Sequence, residues 1–341
     1  LAAKKGKWLR RTVTFPAYAI LFVLVWSALP LVLAVSLLTD VVRGRGLVSV
    51  RILAFFAWYL FCEVAGVLAA FVLWAAHRIV PGRTHEEFLD WNFRLQCLWA
   101  RALGECSFKI FGNDVSHEGD EAFGERPVLL FVRHSSVADT ILAAILVAHA
   151  RGIRLRYVLK RELLWDPCLD VVGNRLPNYF VRRDAVDTAA EVDEISRLAD
   201  GLVPGEGVII YPEGTRFSRR LRERTIEKFV ERGDELRASR ARSLEHTLLP
   251  RPAGAMALLD KREGKDVVFC AHTGLEAARS FHEIWRGELI GRSVKVRFWK
   301  VPAHEIPEDR EAREAWFFEQ WRLVDAFVAQ HSSSPPPAEC P

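Results

Sequence analysis

Val128-Leu129-Leu130-Phe131-Val132-Arg133-His134-Ser135-Ser136-Val137-Ala138-Asp139 is the stretch that decides the fold. Val128 to Val132 is a short unbroken apolar run, the pattern of a strand buried on both faces. From Ala138 to Ala150 the sequence reads as a helix. His134 therefore falls just past a buried strand and just before a helix, where side chains project into a cleft at the strand's carboxyl end. The alternation continues outward. Leu155 to Leu159, Asn178 to Val181, Gly207 to Tyr211, Asp266 to His272 and Ser293 to Val301 read as strands, with helices over Ala185 to Leu202 and Arg219 to Arg242. Trp316, Phe317, Trp321, Val324 and Phe327 mark a C-terminal amphipathic helix. The expected class is α/β, with a mixed, largely parallel sheet flanked by helices.

Toward the N-terminus the composition changes. Ala17 to Leu38 holds 22 residues without a charge. At about 1.5 Å rise per residue this is about 33 Å, enough for a bilayer core of about 30 Å. Ile52 to Ala76 is a second apolar run, interrupted only by Glu63, and the loop Thr39 to Arg51 is short. Together they predict a transmembrane hairpin, because a signal peptide would carry a small-residue cleavage site after one run. A hairpin that dips into one leaflet fits the same pattern. Lys4, Lys5, Lys7, Arg10 and Arg11 precede the first span and Arg78 and Arg83 follow the second, against Arg43, Arg45 and Arg51 in the loop. The larger basic total puts both ends of the hairpin, and the domain after it, on the cytoplasmic side of a membrane. Glu63 is expected to face protein or water. After Pro81-Gly82, Thr84 reads as an N-cap with Glu86 and Glu87 in the first turn. Phe88, Trp91, Leu95, Leu98 and Ala102 then give one apolar helical face, which either lies in the interface or packs on the domain. The expected organisation is a hairpin over 1–83, a catalytic domain over 84–330 and a disordered Ser/Pro-rich tail over 331–341.

Overall composition is ordinary, with 341 residues, 50% hydrophobic and 26% charged, which excludes disordered, collagen-like and disulfide-scaffold classes. The six cysteines are scattered without a CxxC pair, against a zinc ribbon or redox motif and in keeping with a reducing compartment. A net charge of +4 is too small for a general nucleic-acid binder, so no nucleic-acid partner is expected. Phe217 to Arg242 carries nine basic and five acidic residues. It reads either as a basic flap for anionic headgroups or a phosphorylated donor, or as a solvated helix with Glu/Arg pairs.

Chemistry concentrates at strand ends. His134 and Asp139 are five residues apart. In a helix such positions are about 140° apart around the axis, and in a strand they face opposite sides. Only a turn followed by the first helical turn brings them together, with the carboxylate on one imidazole nitrogen and the other left as an acceptor. Tyr211-Pro212-Glu213-Gly214-Thr215-Arg216 also ends a buried strand. Arg216 offers a fork suited to phosphate, and Gly214 lets the backbone approach a ligand closely. Glu213 either accepts from a ligand hydroxyl or holds Arg216 in place, and a plain turn with a local Glu–Arg pair has the same sequence. Asn178 to Asp184, with Phe180, Arg182 and Arg183, and Leu248 to Gly254, with Pro250 and Arg251, are a further strand end and a Pro-bounded basic loop. No second His or Cys stands at ligand spacing from His134, so no metal is expected. Ser135 and Ser136 lack a Gly-x-Ser-x-Gly setting, which disfavours a serine hydrolase.

The order of these blocks resembles the glycerolipid acyltransferases: His-x4-Asp, then Phe-x-x-Arg, then Glu-Gly-Thr-Arg, then a Pro-bounded basic block. The chain is similar to the PlsC-type 1-acylglycerol-3-phosphate acyltransferase family over about Pro127 to Ala257, and its pattern looks most like the lysocardiolipin acyltransferase branch. The resemblance implies that His134 removes the proton of an acceptor glycerol hydroxyl, which attacks an acyl thioester, with Asp139 orienting the ring. It further implies that Glu213, Gly214, Thr215 and Arg216 bind the acceptor's phosphate and glycerol end. Phe180 and Arg183 would belong to acceptor binding, and Pro250 and Arg251 to the donor or acceptor site. The expected product is phosphatidic acid from lysophosphatidic acid. Acylation of lysocardiolipin or lysophosphatidylglycerol, and a lipid-binding protein that has lost catalysis, are the alternatives. No cofactor is implied beyond acyl-CoA or acyl carrier protein as co-substrate, since an activated hydroxyl attacks a thioester without a metal. Two positions depart from the family pattern: Arg133 stands where Asn is common, and Pro252-Ala253-Gly254 where a hydroxyl-bearing residue is common.

Overall fold

The computed structural model describes residues 2–44, 46–181 and 188–331. In chain order the helices are α1 (Ala2–Val42), α2 (Val48–Ile79), α3 (His85–Phe111), α4 (Asp139–Ala143), α5 (Pro167–Val172), α6 (Ala189–Arg197), α7 (Arg219–Glu231), α8 (Glu235–Ser243), α9 (Pro252–Leu259), α10 (Phe281–Trp285) and α11 (Arg310–His331). The strands are β1 (Asp114–Glu118), β2 (Val128–Val132), β3 (Arg154–Lys160), β4 (Tyr179–Val181), β5 (Glu206–Ile210), β6 (Asp266–Thr273) and β7 (Ser293–Val301). The chain forms two compact units, one of Leu1–Asn113, Thr140–Asp184 and His282–Gly291, the other of Asp114–Asp139, Ala185–Phe281 and Arg292–Pro341.

In the first unit, α1 and α2 are both long and apolar enough to cross a membrane. They differ in surroundings. On α1 the apolar side chains Ile20, Leu24, Leu31 and Leu38 are exposed. On α2, Leu60, Cys62, Gly66 and Ala70 are buried, because α3 and α5 pack along that face. Gly66 permits the approach of α5: a Cβ there would stand 2.5 Å from the Cys168 Sγ. Glu63 faces protein, as expected of an ionisable group in an apolar helix, and its Oε2 accepts the Cys168 amide at 3.0 Å. Arg10 and Arg11 both grip the buried Asp170, Arg11 Nε donating to Oδ2 at 2.7 Å.

Thr84 caps α3 in a reciprocal capping box with Glu87. The helix packs on α2, but its buried face is rotated from the expected one. Asn92, Leu95, Ala100, Leu103, Gly104 and Ser107 are buried, while Leu98 is exposed. Small residues let helix axes come close, so they take the contact face ahead of the larger apolar ones. The unit also holds a parallel pair of strands, β3 and β4. The expected helix from Ala138 to Ala150 starts as α4 and continues as a π-helical turn over Ala144–His149.

The second unit is built on strands in the order β1-β7-β6-β2-β5. Neighbours run parallel except β6 and β7, which are antiparallel, so the sheet is mixed and mostly parallel. All residues of β2 and β6 are buried. Helix α11 lies on β6 and α9 on β2. Phe131, Phe269 and Phe317 meet with ring centroids 5.1 to 5.6 Å apart, and Trp321 stacks on Phe317 at 5.9 Å. Each such buried aromatic contributes about 2–3 kcal/mol from burial alone.

Three elements of this unit differ from the sequence reading. β1 has no apolar run. It is an exposed polar edge strand, held by parallel pairing to β7. The charged segment Arg219 to Arg242 is two helices: Gly233, at φ +69°, stops α7, and Asp234 caps α8 through the Arg237 amide at 3.1 Å. The helix expected over Ala185 to Leu202 is the shorter α6, capped by Thr188. Arg182 and Arg183, and the tail from residue 332, lie outside the described residues.

Candidate active site

β2 runs out at Val132, and the Arg133 amide still pairs with the Cys270 carbonyl of β6 at 3.1 Å. The chain then turns sharply, and Asp139 holds the turn. Its Oδ2 accepts the amides of Ser135 at 2.7 Å and Ser136 at 2.9 Å, and its Oδ1 accepts the Ser136 hydroxyl at 2.6 Å. His134 Nδ1 stands 2.9 Å from the same Oδ2. This is the turn-then-helix geometry that the five-residue spacing demanded. Burial alone would raise the Asp139 carboxyl; His272, His134 and the Ser136 hydroxyl outweigh it and hold the group well below the usual carboxylate range. A charged carboxylate takes the proton on Nδ1 as its donor, which leaves Nε2 as the basic nitrogen. The side chain of Asp139 is fully buried, whereas that of His134 is 15% exposed.

Glu213 follows β5 and is itself buried. Its Oε1 accepts the His134 amide at 2.8 Å and its Oε2 the Leu248 amide at 2.9 Å. Burial pushes its carboxyl up to about 8, against the opposing pull of Arg133 and the two amides. Both oxygens are thus engaged by main chain. Glu213 braces two loops, and Arg216 is not its hydrogen-bond partner. Arg216 instead donates through Nη1 to the Arg279 carbonyl.

Gly214 lies at φ +68°, and a Cβ there would meet Arg251 Nε at 3.0 Å, so the glycine both makes the turn and seats the arginine. The Arg251 amide donates to the Pro212 carbonyl at 2.8 Å, while Pro250 is buried and Pro252 opens α9. The Phe217 amide donates to the His134 carbonyl at 3.2 Å. His134, Asp139, Glu213 to Arg216, Pro250 and Arg251, which span three separate blocks of sequence, are therefore one cluster. Phe180 lies in the first unit, on β4, and Arg183 is outside the described residues.

A family model described as Acyltransferase matches residues 114–269, which include this cluster. Over those residues the chain is similar to the Acyltransferase family. Among solved structures it is similar to the 1-acyl-sn-glycerophosphate (LPA) acyltransferase PlsC from Thermotoga maritima, with a TM-score of 0.55 and 17% identity. That match covers 85% of this chain and 99% of the other, and at such identity it bears on the fold alone. A comparison with curated proteins returns no match.

Three residues that the motifs did not select adjoin this cluster. Arg133, His272 and Glu276 are joined behind the His134 turn. Only Arg133 left a trace in the sequence, as a departure from the family's Asn. His272 and Glu276 sit 138 and 142 positions beyond His134, at no motif spacing.

Proposed function

We propose that this acyltransferase moves a fatty acyl group from acyl-CoA or an acyl carrier protein thioester to the sn-2 hydroxyl of lysophosphatidic acid, giving phosphatidic acid. The observation that carries the reading is the His134–Asp139 pair at 2.9 Å, whose free ring nitrogen belongs to a partly exposed imidazole. Nε2 takes the proton of the acceptor hydroxyl as its oxygen forms a bond to the thioester carbonyl carbon. The tetrahedral intermediate collapses with cleavage of the C–S bond, and the proton on Nε2 passes to the leaving thiolate. Asp139 stabilises the imidazolium between the two steps. Arg216 and Arg251 bring positive charge to the same cluster, which favours an acceptor carrying a phosphate. Two long apolar helices supply a route to an acceptor that resides in a bilayer. The basic residues that flank them favour a cytoplasmic active site.

The test is purified enzyme offered labelled acyl-CoA and a panel of lysophospholipids, with product mass analysis. Phosphatidic acid is the expected product. Exclusive acylation of lysocardiolipin or lysophosphatidylglycerol would move the acceptor assignment to that headgroup. Equal turnover by His134→Ala and wild type would remove the catalytic assignment.

A further inference from the structure

Arg133 and His272, behind the His134 turn, take no part in the reaction as written, yet they are among the most completely buried polar residues of the second unit, while their partner Glu276 is 28% exposed. Arg133 is 1% exposed. Its guanidinium donates to the Glu276 carboxylate, to the His272 carbonyl at 2.6 Å and to the His246 carbonyl at 3.1 Å. His272 is fully buried and returns the contact, its Nε2–H donating to the Arg133 carbonyl at 2.9 Å. The same nitrogen stands 3.7 Å from Asp139 Oδ1, so the catalytic carboxylate is bracketed by two imidazoles. Burial holds His272 below its usual range, and Nδ1 has no hydrogen-bond partner among the described residues. Glu276 completes the set: its second oxygen accepts the Gly274 amide at 2.7 Å.

The segment that Glu276 anchors then touches both working ends of the site. The Ala278 carbonyl accepts the Val137 amide, inside the turn between His134 and Asp139, at 3.1 Å. The Arg279 carbonyl accepts from Arg216. One short segment, Gly274 to Arg279, is thus bonded to the turn that carries the base and to the arginine of the Glu-Gly-Thr-Arg block.

We propose that Arg133, His272 and Glu276 are positioning residues that make the end of β2 and the segment Gly274–Arg279 a single wall, and so set His134 and Arg216 at a fixed separation. The inference rests on the reading of His134 as base and Arg216 as phosphate contact. A guanidinium suits the task because its planar fork reaches three acceptors in fixed directions. An Asn, common at this position in the family, has one short amide and could not span them. Loss of Glu276 alone leaves the buried Arg133 charge uncompensated, while loss of both leaves none.

The test is a double-mutant cycle on the full chain, assayed with acyl-CoA and lysophosphatidic acid in detergent. In Glu276→Gln, kcat is expected to fall about 30-fold and the KM for the acceptor to rise about fivefold, with the donor KM within about twofold of wild type. In Arg133→Asn/Glu276→Gln, kcat is expected to return to within about fivefold of wild type, a recovery that a merely additive pair would not give. His272→Gln, which keeps a donor for the Arg133 carbonyl, is expected to retain more activity than His272→Leu. Amide exchange at Val137 gives a readout independent of catalysis, faster in Glu276→Gln and restored in the double variant. No recovery in the double variant, or a lowered melting temperature with kcat, acceptor KM and Val137 exchange unmoved, would overturn the proposal. If wild type acylates no lysophospholipid, the reaction reading fails, and exchange at Val137 still decides whether the wall exists.

Discussion

Two buried polar clusters, one in each unit, are made from the same kinds of residue and do different things. In the first unit Asp170 binds Arg10 and Arg11, and Asn174 reaches the same carboxylate. Every contact there ends on another protein group, with Asp170 fully buried and the two arginines 12% and 17% exposed. In the second unit Asp139 is just as buried and as fully bonded, yet one of its partners is a ring with a basic nitrogen to spare. A buried carboxylate satisfied by arginines is a fastener, since their charge does not change. A buried carboxylate satisfied by an imidazole passes its influence to an atom that can gain and lose a proton.

The sharpest way to break the comparison is to remove the working partner from each cluster. His134→Ala is expected to lower turnover about a thousandfold, or about 4 kcal/mol of barrier, with little change in melting temperature. A loss of folding in place of rate would make the His134 cluster a fastener too. Asp170→Ala should show the opposite profile: about 3 kcal/mol of stability lost on thermal or denaturant unfolding, with turnover per folded molecule near wild type. If turnover collapses while the fold holds, the first unit's cluster has a part in the chemistry.

Gly214→Ala tests the seat of Arg251. Positive φ and the close approach of Nε should cost about 2 kcal/mol together and displace the guanidinium, so the acceptor KM should rise more than kcat falls. The last test reads the pH dependence that Glu213 brings to stability. Its carboxyl is raised to about 8 in the fold from about 4.5 when unfolded. Between those values the folded state holds the proton that the unfolded state has released. Stability therefore falls as pH rises through this window, by at most about 1.4 kcal/mol per pH unit, and is fully regained below it. Melting curves from pH 5 to 7.5 should show the slope in wild type and lose it in Glu213→Gln.

Much of the second unit was legible because β2, β5 and β6 are buried on both faces and β7 alternates buried with exposed residues. β2 and β7 match the apolar runs read from the sequence, and β5 and β6 begin or end within one residue of them. β1 was invisible for the complementary reason: Asp114, Ser116, His117 and Glu118 are exposed, and only its ladder to β7 makes it a strand. The rotation of α3 has a similar source, because small residues such as Ala100 and Gly104 carry no hydrophobic signal yet govern close packing. In the site, His134 and Asp139 could be paired by spacing alone. The role of Glu213 could not, since its partners are the amides of His134 and Leu248, which any residue at those positions supplies. Arg133, His272 and Glu276 come from three distant stretches, and sequence offered no reason to join them.

That Glu213 holds its two loops by main-chain donors has a practical side for anyone exchanging parts between relatives. The brace recognises no side chain at 134 or 248, so an exposed position of the loop from Leu244 to Pro250, such as Glu245, can be substituted without touching it. Its length cannot change so freely, because adding or deleting a residue would carry the Leu248 amide out of reach of Oε2. Chimeras that cut this loop should therefore join at equal length.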